Sequence, residues 1–470
     1  MTPWIRWDAV SAPAEPAWRW LAQSLGMPAL LATPARPHGE LKVPPSRLSE
    51  PARQRLAALL AERLCLDGQT RLVHAATQDA AAILRLRSGD LSQIPDAVLR
   101  PRSEDEILAA LNICAEAGIA VASPTGKHAV SAVLDLDAMA DIVSLDAVSG
   151  VAQVQAGITS TDLARQLAAR GMRFEAPEFF ALGHWIAHGI GASDVMDVRL
   201  ATPKGFLSGS LLPGSPSRFG MVTAATLRIR AAPASTAHLH ILFPDFASGL
   251  AAMRETQREG VTHVVMQLSD EEQTRFLRNL SAMSHAPTLI QRVTDMVRGL
   301  HRPQEKAAAL RVTFSGHAAD VDTAQKRFAA RARQLGASLW QGVDTPDYRP
   351  LLLDRGVTVD RLDTSATWSD LPVLYAALRA ALDQAMRRHA PRADSHGLVL
   401  TQITGARHDG ADLTCTFLYP RQLNGDIAQA QAIRQAALNV LAAHHCKKDA
   451  ADEDVRHAIS AVLDPAGILN

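Results

Sequence analysis

The chain has 470 residues, 47% of them hydrophobic, and its 48 Lys and Arg balance 48 Asp and Glu. That length and apolar content suit two or three packed domains, and a net charge of zero gives no global field for nucleic acid or an anionic membrane. The cysteines Cys65, Cys114, Cys415 and Cys446 lie far apart with no C-x-x-C pair, which points to a reducing, cytoplasmic setting and no metal site. The opening residues lack a basic stretch followed by an apolar run, so no signal peptide is expected, and no apolar run approaches the roughly 20 residues a bilayer span needs. Contact with a membrane is expected to be peripheral at most.

Residues 1–92 read as Pro-interrupted polar segments and helices; in "SEPARQRLAALLAERL" the residues Leu56, Leu59, Leu60 and Leu64 share one face. Ser103 with Glu106 forms a capping-box pattern, and Gly118 closes the helix they open. "IAVAS" reads as a strand. The stretch from Val133 to Thr159 reads as a strand, a connection and a second strand, with a turn at Ser149–Gly150. "TSTDLARQLAARGM" is a capped helix ending at Gly171, and "MDVRLATPKGFL" and "GMVTAATLRIRAAP" are strands. After Pro233 the pattern restarts with a strand and a helix, then the strand "ALRVTFSG" and the long helix "DVDTAQKRFAARARQLGA". A hairpin turning at Asp409–Gly410 and a helix from Asp426 follow. The fold class is α+β: a helical N-terminal extension (1–92), one domain at 93–233 and a second α+β domain at 234–470.

The order of these segments resembles the PCMH-type FAD-binding domain of the vanillyl-alcohol-oxidase superfamily, carried by "IPDAVLRPRSEDEILAALNICAEAGIAV", "VSLDAVSGVAQVQAGITSTDLARQLAARGM", "TPKG" and "GMVTAATLRIRAAP". Within it, the chain resembles the alkyldihydroxyacetone-phosphate synthase family, through "RLVHAATQDAAAILRLRSGDLSQIPD", "PEFFALGHWIAHGIGAS" and the C-terminal "LDPAGILN". The resemblance implies FAD as cofactor, a cap or substrate domain after the flavin domain, and a lipid-like or phosphate-bearing substrate. It implies contacts with FAD from Pro124, Thr125, Gly126 and Lys127, from Pro177 and Trp185, and from Gly220 and Val222.

The same comparison shows losses. The family's glycine-rich phosphate loop is "PTGKHAVSAV" here, with one glycine, and side chains replace permissive φ. The run after Trp185 is shortened, and Pro216 and Arg218 stand where the family carries Glu and Thr. Alignment puts Arg349 at the phosphate-binding arginine and Thr414 at the tyrosine that carries a proton. His444 and His445 lack the spacing of the family's histidine run. His184 and His188 lie four apart, without the intervening glutamate or third ligand of a zinc site. Two readings remain. The favoured one is a homologue impaired in FAD binding and catalysis, acting as a pseudoenzyme or as partner of an intact paralogue. The other is an active FAD-dependent alkyl transferase or oxidoreductase.

Overall fold

The computed structural model describes residues 15–37, 40–75, 79–121, 130–174, 181–187, 194–209, 219–259, 264–284, 306–340, 349–445 and 450–469. The N-terminal segment contributes α1 (Glu15–Ser24), α2 (Glu50–Leu60), β1 (Leu64–Cys65), α3 (Gly68–Val73) and α4 (Ala80–Ser88). Then come β2 (Ala97–Leu99), α5 (Glu104–Ala117), β3 (Ala120–Val121) and β4 (Ser131–Leu134), which with β1 form a sheet of order β1-β2-β4-β3. Ser103 caps α5 by accepting from the Glu106 N–H, and Gly118 ends it at φ +64°. The Glu106 carboxylate does not close the reciprocal half of the box. It accepts from the Arg102 N–H and from Arg63 instead.

Leu64 does not extend the first predicted helix. Helix α2 stops at Leu60, Ala61 takes φ +52°, and Leu64–Cys65 pairs antiparallel with β2. The Arg63 guanidinium on Glu106 and on the Arg100 carbonyl draws the chain onto the sheet edge, and this tertiary pull overrides helical periodicity. Leu56 and Leu60 are fully buried with Ile107, Leu111 and Cys114 of α5.

The second sheet, of order β5-β6-β10-β8-β9, is built from β5 (Ile142–Asp146), β6 (Val151–Gln155), β8 (Val195–Thr202), β9 (Gly205–Gly209) and β10 (Met221–Arg228). Between them lie α6 (Ser160–Ala168), β7 (Met172–Arg173) and α7 (Leu182–Ala187); β7 pairs with β11 (Arg230–Ala231). Glu104 ties the two sheets together, accepting from Arg199 at 2.8 Å and from the Thr223 hydroxyl at 2.6 Å.

The C-terminal half comprises β12 (Ser235–Phe243), α8 (Phe246–Arg258), β13 (Val264–Ser269), α9 (Glu271–Ser284), β14 (Ala308–Gly316), α10 (Ala318–Gln334), β15 (Ser338–Leu339) and α11 (Arg349–Asp354). It continues with β16 (Val357–Thr367), α12 (Leu371–Arg388), β17 (Leu398–Ala406), β18 (Gly410–Pro420), α13 (Asp426–His445) and α14 (Ala450–Leu463). Its strands form one antiparallel sheet of order β15-β12-β14-β13-β17-β18-β16. The predicted hairpin is β17–β18, closed by the Arg407 N–H on the Gly410 carbonyl. Successive strand residues face opposite ways. On β14, Ala308, Leu310, Val312 and Phe314 enter a core with residues of α8, α10 and α12, which leaves Ala309, Arg311 and Thr313 on the opposite face.

The chain ends cross between halves. Trp18 and Leu21 of α1 pack with Val357, Leu398 and Leu418 of the large sheet, whereas α2 packs against α5. The tail 464–469, expected with the second half, lies in the first: Ile468 is fully buried with Ala132 and Val121, and its carbonyl accepts from the Val121 N–H at 2.6 Å.

Candidate functional site

Three segments that the family resemblance ties to the cofactor converge at β6 and β10. The Ala156 N–H donates to the Thr223 carbonyl at 2.9 Å, the Gly183 N–H to the Ala156 carbonyl at 2.7 Å, and the Leu182 N–H to the Ile158 carbonyl at 2.8 Å. Trp185 and Val222 share one buried cluster, with Trp185 edge-on to Phe174 at 6.1 Å. Gly220 and Gly183 are required by backbone packing: a Cβ would lie 2.8 Å from the Ala201 carbonyl at the first and 2.9 Å from the Ala156 Cβ at the second. Pro124, Thr125, Gly126, Lys127, Pro177 and His188 lie outside the described residues, as do the side chains of His184, Arg349 and His445. The backbone of Arg349 opens α11, and His444 is half-buried in the last turn of α13.

The strands flanking segment 122–129 are held from two sides. Strands β3 and β4 pair in parallel, Ala120 with Ser131. Asp96, from the Pro-Asp-x-Val motif, accepts the Ser131 N–H at 3.1 Å and takes Arg47 through its backbone N–H and guanidinium. Burial raises the Asp96 carboxyl, but these hydrogen bonds outweigh it and hold the group below its ordinary range. On the other side, Asp464 accepts from the Ile468 and Leu469 N–H groups at 3.1 and 2.8 Å, which bends the tail onto Val121.

FAD is the group this arrangement has to accommodate. The Ser131 hydroxyl is fully buried and has no hydrogen-bond partner among the described residues, and it stands where the chain re-enters the sheet. An unpaired buried hydroxyl is costly unless a ligand or water satisfies it, so Ser131 fits a phosphate-bearing cofactor. Ser131, with the convergent backbone near Ala156, Gly183 and Val222, is the part of the described chain that would hold FAD. When bound, FAD supplies an electron-pair acceptor at its N5 atom.

The "RLVHAATQDAAAILRLR" residues serve as ties. Arg71, 2% exposed, donates to the carbonyls of Pro95 and Pro44. His74 meets Asp135 at 3.0 Å, and Arg100 donates to the same oxygen at 2.8 Å. Hydrogen bonding to Asp135 pushes His74 above its ordinary value against the opposing effect of burial. Arg87 donates to the Thr33 carbonyl and to Asp354, the last residue of α11, whose first residue is Arg349.

On the polar face of the large sheet, Thr414 is 7% exposed and donates to Asp363 at 2.6 Å, its cross-strand neighbour. Arg361 chelates the same carboxylate at 2.8 to 3.0 Å and reaches the Thr414 oxygen at 3.4 Å. Tyr375 and Tyr419 are committed elsewhere. The first donates to Asp270 at 3.3 Å, the second is in the core, and burial raises both phenols. Asp270 is itself pushed up to about 6 by burial, with Arg379 at 2.6 Å opposing. Sequence reasoning reached Thr414 but not Arg361, Asp363 or the row beside them, because cross-strand register is invisible before the strands are paired. Among the described residues no three His, Cys, Asp or Glu side chains are grouped to hold a metal, and no helix is long and apolar enough to cross a membrane.

Residues 95–198 match the FAD binding domain family, and residues 232–446 match the C-terminal domain of FAD linked oxidases. The chain is similar to alkyldihydroxyacetonephosphate synthase of Trypanosoma brucei brucei, 23% identical over 408 residues, covering 75% of this chain and 66% of that protein. It is 22% identical over 441 residues to the synthase of Dictyostelium discoideum, covering 82% of this chain and 71% of that one. The chain thus spans about two thirds of the length of the curated relatives it matches. A solved alkyldihydroxyacetonephosphate synthase superposes with a TM-score of 0.76 at 20% identity, over 96% of this chain and 91% of that one. p-Cresol methylhydroxylase with substrate bound superposes with a TM-score of 0.63 at 13% identity, over 91% and 98%. At such identities the structures establish the fold. The chain carries an FAD binding domain and the C-terminal domain of FAD linked oxidases on a PCMH-type fold, and it is a homologue of the alkyldihydroxyacetonephosphate synthases.

Proposed function

We propose that this chain is a divergent homologue that does not carry out its relatives' synthase reaction. It acts by binding a lipid-like or phosphate-bearing small molecule, alone or as partner of an intact paralogue. The observation that carries this reading is Thr414. At the position where the family resemblance puts a proton-carrying tyrosine stands an alkyl hydroxyl, already donating to Asp363 at 2.6 Å under the Arg361 guanidinium. An efficient general acid or base has a pKa near the working pH, and a threonine hydroxyl lies far from it. FAD is held more weakly than a glycine-rich loop would hold it, since "PTGKHAVSAV" offers one glycine where several N–H groups must crowd a single anion.

The purified protein is expected to carry flavin well below one per chain, read from absorbance at roughly 450 nm, and to take up more when FAD is added. A second reading, an active flavoenzyme of other chemistry, is favoured by Ser131 and the convergent cofactor segments. Flavin retained at one per chain, and bleached anaerobically by a lipid or phosphate-ester substrate, would establish that reading and overturn the first.

A further inference from the structure

The helix-covered face of the large sheet holds three neighbouring polar groups in its core. Thr358 and Asp360 are alternate residues of β16, and Tyr419 of β18 is the direct cross-strand neighbour of Thr358. Leu362, Phe417 and Tyr419 share one core with Ile433 and Ala437 of α13. Thr358 is fully buried, Tyr419 is 1% exposed and Asp360 is 4% exposed. Among the described residues, the Thr358 hydroxyl, the Tyr419 hydroxyl and the Oδ2 atom of Asp360 have no hydrogen-bond partner. The three groups nonetheless feel one another. Burial raises the Tyr419 phenol, the Asp360 charge adds to that rise, and the Thr358 hydroxyl opposes it.

The other carboxylate oxygen of Asp360 is committed. Oδ1 accepts from the Arg434 guanidinium of α13 at 2.8 Å and from the Arg361 N–H at 2.8 Å, and the same guanidinium nitrogen donates to the Arg361 carbonyl at 3.2 Å. Asp360 and Arg434 thus grip the backbone of Arg361, whose side chain chelates Asp363 on the opposite face of the sheet. A carboxylate oxygen and two hydroxyls left bare together in a core are costly. A proton on Oδ2 would not remove that cost, since neither hydroxyl is hydrogen-bonded to that oxygen. A metal cation fits poorly, because Arg434 already faces the carboxylate and would repel it. A water molecule meets all three needs. It donates to Oδ2 and to one hydroxyl and accepts from the other, and about three bonds is the usual number for a buried water.

We propose that Thr358, Asp360 and Tyr419 enclose a binding site for one water molecule, which bridges the three and braces the Asp360–Arg434 pair behind Arg361. The site goes beyond the reading of the chain as catalytically silent and holds whether or not that reading does.

A crystal structure of the full chain, at a resolution that shows ordered water, tests it directly. One water is expected within about 3.2 Å of Thr358 Oγ1, Asp360 Oδ2 and Tyr419 Oη. A dry core, a metal ion at that place, or direct hydrogen bonds among the three groups would overturn the proposal. Urea unfolding of Tyr419→Phe and Thr358→Val, each of which removes one hydroxyl at nearly constant shape, supplies the energetic test. With the water in place, each change is expected to raise the unfolding constant about fivefold. The double variant is expected to raise it by less than the product of the two, since the first change already breaks the bridge. Stability unchanged or raised by either single change is the behaviour of a dry, unpartnered hydroxyl and would sink the idea. Should a variant fail to fold, the density in the parent protein decides. None of these outcomes depends on flavin content or turnover.

Discussion

Ala61 holds φ +52° and ψ −125°, a region L-residues avoid, because the chain must leave α2 and reach the β1 edge within three residues. Ala61→Gly is therefore expected to raise stability by about 1 kcal/mol in urea unfolding; a loss of stability would mean the backbone is not strained there. His74 makes a prediction in pH. Its folded value is raised by Asp135, so its contribution is complete below the ordinary histidine value of about 6.5 and is lost as pH rises through the folded value. Asp135 is held below its ordinary range. Burial raises it, but the bonds from His74, the Asp137 N–H and Arg100 outweigh that effect, so its contribution is lost only as pH falls well below about 4. Between pH 6 and 9 the melting temperature of the parent is expected to fall more than that of His74→Asn; parallel curves would show that the pair does not titrate as its geometry implies.

At the scale of elements, the tail and α11 show what short motifs do. "DPAGILN" is a hook. The Asp464 carboxylate holds two N–H groups, Gly467 takes φ +64°, and Ile468 fills the core beside β3 and β4. Ile468→Ala is expected to cost 2–4 kcal/mol and, because Val121 leads into segment 122–129, to lower FAD uptake as well. A variant destabilised by that amount but unchanged in FAD uptake would separate the tail from the cofactor site. Helix α11 is anchored in the same way, by Arg87 on Asp354 and by Thr33 on the Leu353 carbonyl, so the N-terminal segment sets where Arg349 begins its turn.

Across the whole molecule, what could be read in advance was local. Ser103 and Gly118 mark the ends of α5 by rules that act within a few residues, whereas α6 begins at its Thr159 cap but stops at Ala168, three residues before Gly171. The family motifs located the flavin half for the same reason. The functions of those motifs were not local. Asp96 acts on Ser131, Asp464 acts through Ile468 on Val121, and Arg87 acts on Asp354, contacts 35 to 347 residues apart that only packing creates. The cluster of Arg361, Asp363 and Thr414 was hidden because two strands about fifty residues apart supply it. A two-residue slip in any pairing would keep the same side chains on the face but break their alignment.

The central claim is that the cofactor fold persists while the synthase reaction is lost. The most direct test is an alkyl-exchange assay on protein saturated with FAD, its flavin content measured on the same sample, with acyl-dihydroxyacetone phosphate and a long-chain alcohol. The prediction is no turnover above the protein-free background at full flavin loading. Turnover that follows flavin occupancy would contradict it, and a fall of that turnover in Thr414→Val would place Thr414 in the proton transfer for which its alkyl hydroxyl is argued to be unsuited.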